Sequence, residues 1–167
     1  VGEDNLAKLT TAEKKLAELK EQAADQKAAD AVIEKIKAIG EVTLESEAAI
    51  KAARTAYDKL TEAQKKLVTN YGKLTEAEEK LAELKEQAAD QKAADAVIEK
   101  IKAIGEVTLE SEAAIKAART AYDKLTEAQK KLVTNYGKLT EAEEKLAELK
   151  EQAADQKAAD AVIEKIK

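Results

Sequence analysis

The side chains best equipped for chemistry in this chain are two arginines, Arg54 and Arg119, each placed three residues before a tyrosine, Tyr57 and Tyr122. A guanidinium beside an aromatic ring can grip an acidic ligand, or it can form an ion pair and a stacking contact inside a fold. The second use is favoured. Tyr57, Tyr71 and their copies Tyr122 and Tyr136 fall on apolar helical stripes, where a ring packs in the core and only its hydroxyl reaches water. Carboxylates are the other candidates. Glu21 with Asp25, and Asp30 with Glu34, stand four apart and share a helix face. Calcium takes about six to eight oxygens, usually gathered by a loop, so such pairs are expected to form a solvated acidic face instead. Acid–base catalysis by two carboxylates needs a cleft that raises one pKa. A narrow, alanine-rich helical assembly offers little room for one.

Other chemistry is excluded by composition. The chain has no Cys and no His, hence no zinc site of the usual kind, no thiol nucleophile, no imidazole base and no disulfide. A net charge of −5 with scattered lysines disfavours a polyanionic backbone as partner. No apolar run approaches the roughly 18 residues a membrane span requires. No signal peptide is read in the sequence. No catalytic, cofactor-binding or metal residue is therefore assigned, no cofactor is expected, and the chain is not expected to be an enzyme.

The elements that position these residues follow from composition and period. Of the residues, 38% are charged and 44% hydrophobic, alanine being the commonest of the latter, with no Pro, Met, Trp or Phe. Ala, Glu, Lys and Leu favour helix. The apolar residues are periodic, which argues against disorder. The chain also repeats itself: "VIEKIK" begins at Val32, Val97 and Val162, a constant spacing of 65 residues. Lys15 to Lys102 matches Lys80 to Lys167 without a change, and only "NLAKLTTAEKKL" from Asn5 departs from "NYGKLTEAEEKL" from Asn70. Recent duplication, homogenised DNA and deliberate design all produce such identity.

Within one period Val32, Ile33, Ile36 and Ile39 form one helical stripe, and Gly40 stands where a left-handed C-terminal cap belongs. "EVTLES" is a short connection with candidate N-caps at Thr43 and Ser46. The next helix carries Ile50, Ala53, Tyr57 and Leu60 at spacings of three and four. Thr61 and Gln64 make a capping box that starts a third helix, whose stripe continues through Leu67, Tyr71, Leu74, Leu81 and Leu84. At Thr69–Gly72 a bend at most is expected. Ala7 occupies the place of Gly72 in the first copy, so a positive φ is not required there.

Three helices per period, joined by short turns, predict an all-α fold of tandem antiparallel three-helix bundles. Bundles are expected over residues 28–86 and 93–151. Residues 1–27 are read as the end of a preceding third helix with a helical linker, 87–92 as a helical linker, and 152–167 as a linker with the start of a further first helix. The junction "KEQAADQKAAD" lacks Gly, Pro and Ser and loses the Leu/Ile stripe. Propensity favours helix straight through it, polar all round and bridging two packed units. The expected product is one helix from Tyr71 to Ile104, roughly 50 Å long, and an extended rod with the junction as its strut. Apolar stripes at Leu9, Leu16, Ile163 and Ile166 are expected to stay uncovered and to favour end-to-end association.

The segment "VTLESEAAIKAARTAYDKLTEAQKKLVTNYGKLTEAE", residues 42–78, with its copy at 107–143, resembles α-helical tandem repeats of large Gram-positive cell-surface proteins, and the resemblance implies a spectrin-like arrangement of three-helix bundles. The resemblance implies a spacer that carries a terminal binding domain away from the cell wall, and so an extracellular, wall-associated location. It supplies no catalytic residue. Three functions are compatible with the sequence: a structural stalk whose partners are neighbouring repeats, a three-helix module that captures a host protein, and a designed helical scaffold without a natural partner. Outward faces of Lys, Glu, Ala and Gln disfavour the second, since binding needs an exposed apolar or aromatic patch.

Overall fold

A computed structural model describes residues 2–166; Val1 and Lys167, the outer ends of the first and last segments, lie outside the described residues. The described chain is all-helical, with seven α-helices and no strand. They are α1 (Gly2–Lys37), α2 (Glu47–Asp58), α3 (Glu62–Lys65), α4 (Tyr71–Lys102), α5 (Glu112–Asp123), α6 (Glu127–Leu132) and α7 (Tyr136–Ile166). Single 3-10 turns at Leu44–Ser46 and Leu109–Ser111 precede α2 and α5. The chain divides into two compact units, Val1–Lys85 and Glu86–Lys167.

In the first unit the core is built by Ala29, Val32 and Ile36 of α1, Ile39 after it, Ile50 and Ala53 of α2, Val68, and Leu74, Ala77 and Leu81 of α4. Ala29, Ala53 and Leu74 are fully buried. Ala, Leu, Ile and Val thus build this core without an aromatic residue among its buried members. The second unit repeats this core with Ala94, Val97, Ile101, Ile104, Ile115, Ala118, Val133, Leu139, Ala142 and Leu146.

Local signals act where the sequence puts them. Gly40 and Gly105 have φ of 61° and 60° and are the positive-φ residues of the described chain. A side chain at either place would be strained, and each ends its helix by donating to the carbonyl three residues back, Gly40 to Lys37 at 3.3 Å. Of the two N-cap candidates before α2, Thr43 precedes the 3-10 turn with extended backbone, and Ser46 precedes α2 without a side-chain cap bond. Ser46 Oγ instead accepts from the Thr43 backbone N–H at 3.0 Å. The Thr61–Gln64 capping box forms as expected, with Gln64 N–H donating to Thr61 Oγ1 at 3.3 Å and Thr61 N–H to Gln64 Oε1 at 3.0 Å.

Three expectations are corrected. The third helix of the period does not run on from Thr61 with a bend; it breaks between Lys65 and Tyr71. Leu67 and Val68 donate back three residues, to Gln64 and Lys65, in tight turns that place Val68 in the core at 6% exposure. Asn70 then donates from Nδ2 to the Ile33 carbonyl of α1 at 3.0 Å. Burial of Val68 and this tertiary bond outweigh the helical hydrogen bonds that would have continued. Second, Val68 rather than Leu67 holds the buried place, and Tyr71, at 37% exposure, is not a core residue. Third, α4 ends at Lys102, two residues short of Ile104, because the turn that leads to Gly105 is already underway.

Candidate functional site

The one concentration of charged and aromatic groups in each unit is assembled around the arginine. In the first unit α2 presents Arg54 and Tyr57 one turn apart on the same face. Tyr71 opens α4, and Glu78 follows two turns later on the flank of its buried stripe. The two helices bring the groups together. Arg54 donates from Nε to Glu78 Oε1 at 2.7 Å and from Nη2 to Glu78 Oε2 at 2.5 Å, a two-pronged fit of guanidinium to carboxylate. Nη1 donates to the Tyr71 hydroxyl at 3.2 Å. The Tyr57 and Tyr71 rings stack with centroids 4.3 Å apart. The Arg54 guanidinium carbon lies 5.3 Å from the Tyr71 centroid, and Lys65 Nζ lies 5.8 Å from that of Tyr57.

The electrostatics follow from this geometry. The bonds to Glu78 and then to Tyr71 raise the Arg54 pKa, so its charge is permanent. The Tyr71 hydroxyl is held below the ordinary phenol value, first by the Arg54 bond and then by a bond to Thr75. Lys65 is raised by its bond to Glu62, and Glu62 is lowered by the same bond. The second unit repeats the cluster with Arg119, Glu143, Tyr136 and Tyr122, the rings again 4.3 Å apart.

The guanidinium has its three nitrogens committed, two to Glu78 and one to Tyr71. An acidic ligand would have to displace Glu78 before it could take a two-pronged hold on the Nε–Nη2 edge. The cluster therefore works as a clamp. It ties α2 to the start of α4 and covers the break between α3 and α4 with a stacked aromatic pair.

The carboxylate pairs singled out in the sequence keep their four-residue spacing on α1, and Asp25, Asp30 and Glu34 bond to other groups. Asp25 accepts from Gln64 Nε2 at 2.8 Å, linking α1 to α3. Asp30 accepts from Gln26 at 2.8 Å, and Glu34 pairs with Lys37 at 2.7 Å. Four tertiary links were not foreseen: Glu78 with Arg54, Gln64 with Asp25, Asn70 with the Ile33 carbonyl, and Glu47 with Lys85 at 2.5 Å. Glu78 carried a usable signal, since it is a charged residue set between Leu74 and Leu81 at the edge of the buried stripe. Asn70 and Gln64 carried none beyond their capping propensity. The buried Oδ1 of Asn70 and of Asn135 has no hydrogen-bond partner. Comparison with known proteins returns no match: no family model, curated protein or solved structure is significantly similar to the chain.

Proposed function

We propose that this chain is part of a structural spacer, in which tandem three-helix bundles are joined through continuous helices and keep a set distance between whatever lies on either side. The observation that carries this reading is α4. It runs unbroken from Tyr71 to Lys102, contributes Leu74, Ala77 and Leu81 to the first core and contributes Ala94, Val97 and Ile101 to the second. Between Ala82 and Ala93 it has no fully buried residue, yet it contains no residue that would let it bend. A flexible joint of similar length would span less on average and would let the bundles tumble. In this reading the chain performs no reaction and its partners are neighbouring repeats. The resemblance to Gram-positive surface repeats adds the setting, a stalk outside the cell wall.

The test is Ala89→Pro. Proline at this point removes a helical hydrogen bond and costs about 3 kcal/mol locally. Both cores are expected to stay folded, because Ala89 belongs to neither. Small-angle scattering should show a broader distribution of distances within the chain and a shorter mean dimension than the parent chain. An unchanged maximum dimension and stiffness would remove the main physical support for a spacer.

A further inference from the structure

The four tyrosines of this chain are its readily oxidised side chains, and the fold arranges all of them in pairs. Cys, Met, Trp and His are absent, so the sulfur groups that ordinarily intercept peroxides are missing and an oxidising hit ends on a phenol. Tyr57 stacks on Tyr71 and Tyr122 on Tyr136, with ring centroids 4.3 Å apart and interplanar angles of 26° and 25°. Tyr71 and Tyr136 are 37% exposed, which gives an oxidant access to the outer ring of each pair, and the inner rings are half-buried. Arg54 Nη1 donates to the Tyr71 hydroxyl at 3.2 Å and holds that ring over Tyr57. Both rings stand at helix ends, Tyr57 one residue before the end of α2 and Tyr71 at the start of α4. They can therefore turn from stacked to edge-joined without distorting a helix interior.

We propose that each stacked pair is a site of oxidative cross-linking, where one-electron oxidation with a peroxide as final electron acceptor joins Tyr57 to Tyr71 and Tyr122 to Tyr136 as dityrosine. Each phenol gives up one electron and one proton and becomes a phenoxyl radical. The unpaired electron is shared by the oxygen and the ortho and para carbons. The para carbon already carries Cβ, so two ortho carbons combine and a carbon–carbon bond forms. The hydrogens on those carbons then transfer as protons to the oxygens, and both rings are phenols again. In sum two electrons and two protons leave the pair, and hydrogen peroxide takes them up as its O–O bond breaks to give two waters. The stack supplies what the coupling needs, because the second radical arises in contact with the first instead of having to find it by diffusion. The link closes a loop around α3 and the break before α4, which removes conformations from the unfolded chain. It makes permanent the tie between α2 and α4 that Arg54 and Glu78 make reversibly. This inference does not rest on the spacer reading.

The experiment compares two full-length variants that retain the same number of tyrosines. Tyr122→Phe with Tyr136→Phe leaves the Tyr57–Tyr71 stack intact. Tyr57→Phe with Tyr136→Phe leaves Tyr71 and Tyr122, each stacked on a phenylalanine, which forms no phenoxyl. Phenylalanine keeps the ring packing, so circular dichroism should show both folded like the parent. Dilute protein is photo-oxidised with ruthenium tris-bipyridyl and persulfate, a peroxide that takes the two electrons as two sulfates. The first variant should gain dityrosine fluorescence at monomer size and lose two hydrogens by intact mass. Its tryptic digest should contain TAYDK joined to LVTNYGK. The second should form at least about tenfold less, all of it between chains. In unfolding concentrations of urea the yield of the first should fall severalfold, because the stack is lost. Equal yields from the two variants would overturn the proposal. So would a yield unchanged by urea, or oxidation that only adds oxygen to single rings.

Discussion

Leu9 and Leu74 stand in nearly the same sequence, on helices α1 and α4, four substitutions apart over the twelve residues from Asn5 and from Asn70. Leu74 is fully buried and Leu9 is 55% exposed. Both segments are helical. The difference lies in what stands beside them: α4 starts next to α2 and the end of α1, and the start of α1 has no such neighbours. Amphipathic pattern and propensity are thus enough to specify helix, while burial is a property of the neighbourhood. The asparagines show the same thing. Asn5 lies inside α1, whereas Asn70 ends the turn before α4 by donating to the Ile33 carbonyl. The break exists only where there is a carbonyl to receive it.

The sharpest way to break this comparison is truncation of the two leucines. Leu74→Ala should cost about 2–5 kcal/mol, because it leaves a cavity in a packed core. Leu9→Ala should change stability by less than about 0.5 kcal/mol. Urea unfolding of the two variants measures both. Equal effects would mean that the start of α1 has a partner after all.

The arginine clamp gives a smaller effect. Arg54→Ala should cost about 1–2 kcal/mol, since its bidentate bond to Glu78 is partly shielded from water. A double-mutant cycle with Glu78→Gln should recover most of that as coupling. Glu13→Gln, the same position on the uncovered helix, should be silent.

Acid should have the mildest effect. Glu47 is held below the ordinary carboxylate value by its bond to Lys85, Glu62 by its bond to Lys65, and Glu45 by its bond to Thr43. The native chain therefore binds fewer protons than the unfolded chain, and stability rises with pH through this range. The contribution is complete above the ordinary glutamate value and fades as pH falls through the lowered ones. Thermal midpoints should be flat near neutrality and drop by a few degrees in acid. Glu47→Gln together with Glu112→Gln should make that drop shallower.

Much of this fold was legible before any coordinates. Gly40, the Thr61–Gln64 box and the Val32–Ile36 stripe each act locally, through φ, a cap and a 3.6-residue period, and local devices leave a local signature. The α3–α4 break left none, because its cause is Val68 entering a core and Asn70 reaching a residue 37 positions away. Tyr71 was misplaced for a related reason. It lies on the apolar period, but the carboxylate that draws Arg54 across its ring belongs to a later turn of α4. The arginines were visible as candidates, with an ion pair or stacking contact inside the fold as the favoured reading. The identity of the partner, Glu78, required the packing.

The spacer proposal requires that the middle of α4 be held helical by the cores at both of its ends. The chain contains its own control, since Lys15 to Lys37 and Lys80 to Lys102 are identical in sequence, so unprotected amides in the two segments exchange at matched intrinsic rates. In α1 only the C-terminal end of this stretch meets a core, at Ala29; in α4 both ends do. Hydrogen exchange followed by NMR on segmentally labelled chain should find Gln87 to Lys92 clearly slower than Gln22 to Lys27. Exchange at Gln87 to Lys92 as fast as at Gln22 to Lys27 would show that the joint rests on propensity alone, and would contradict a helix that couples the two units.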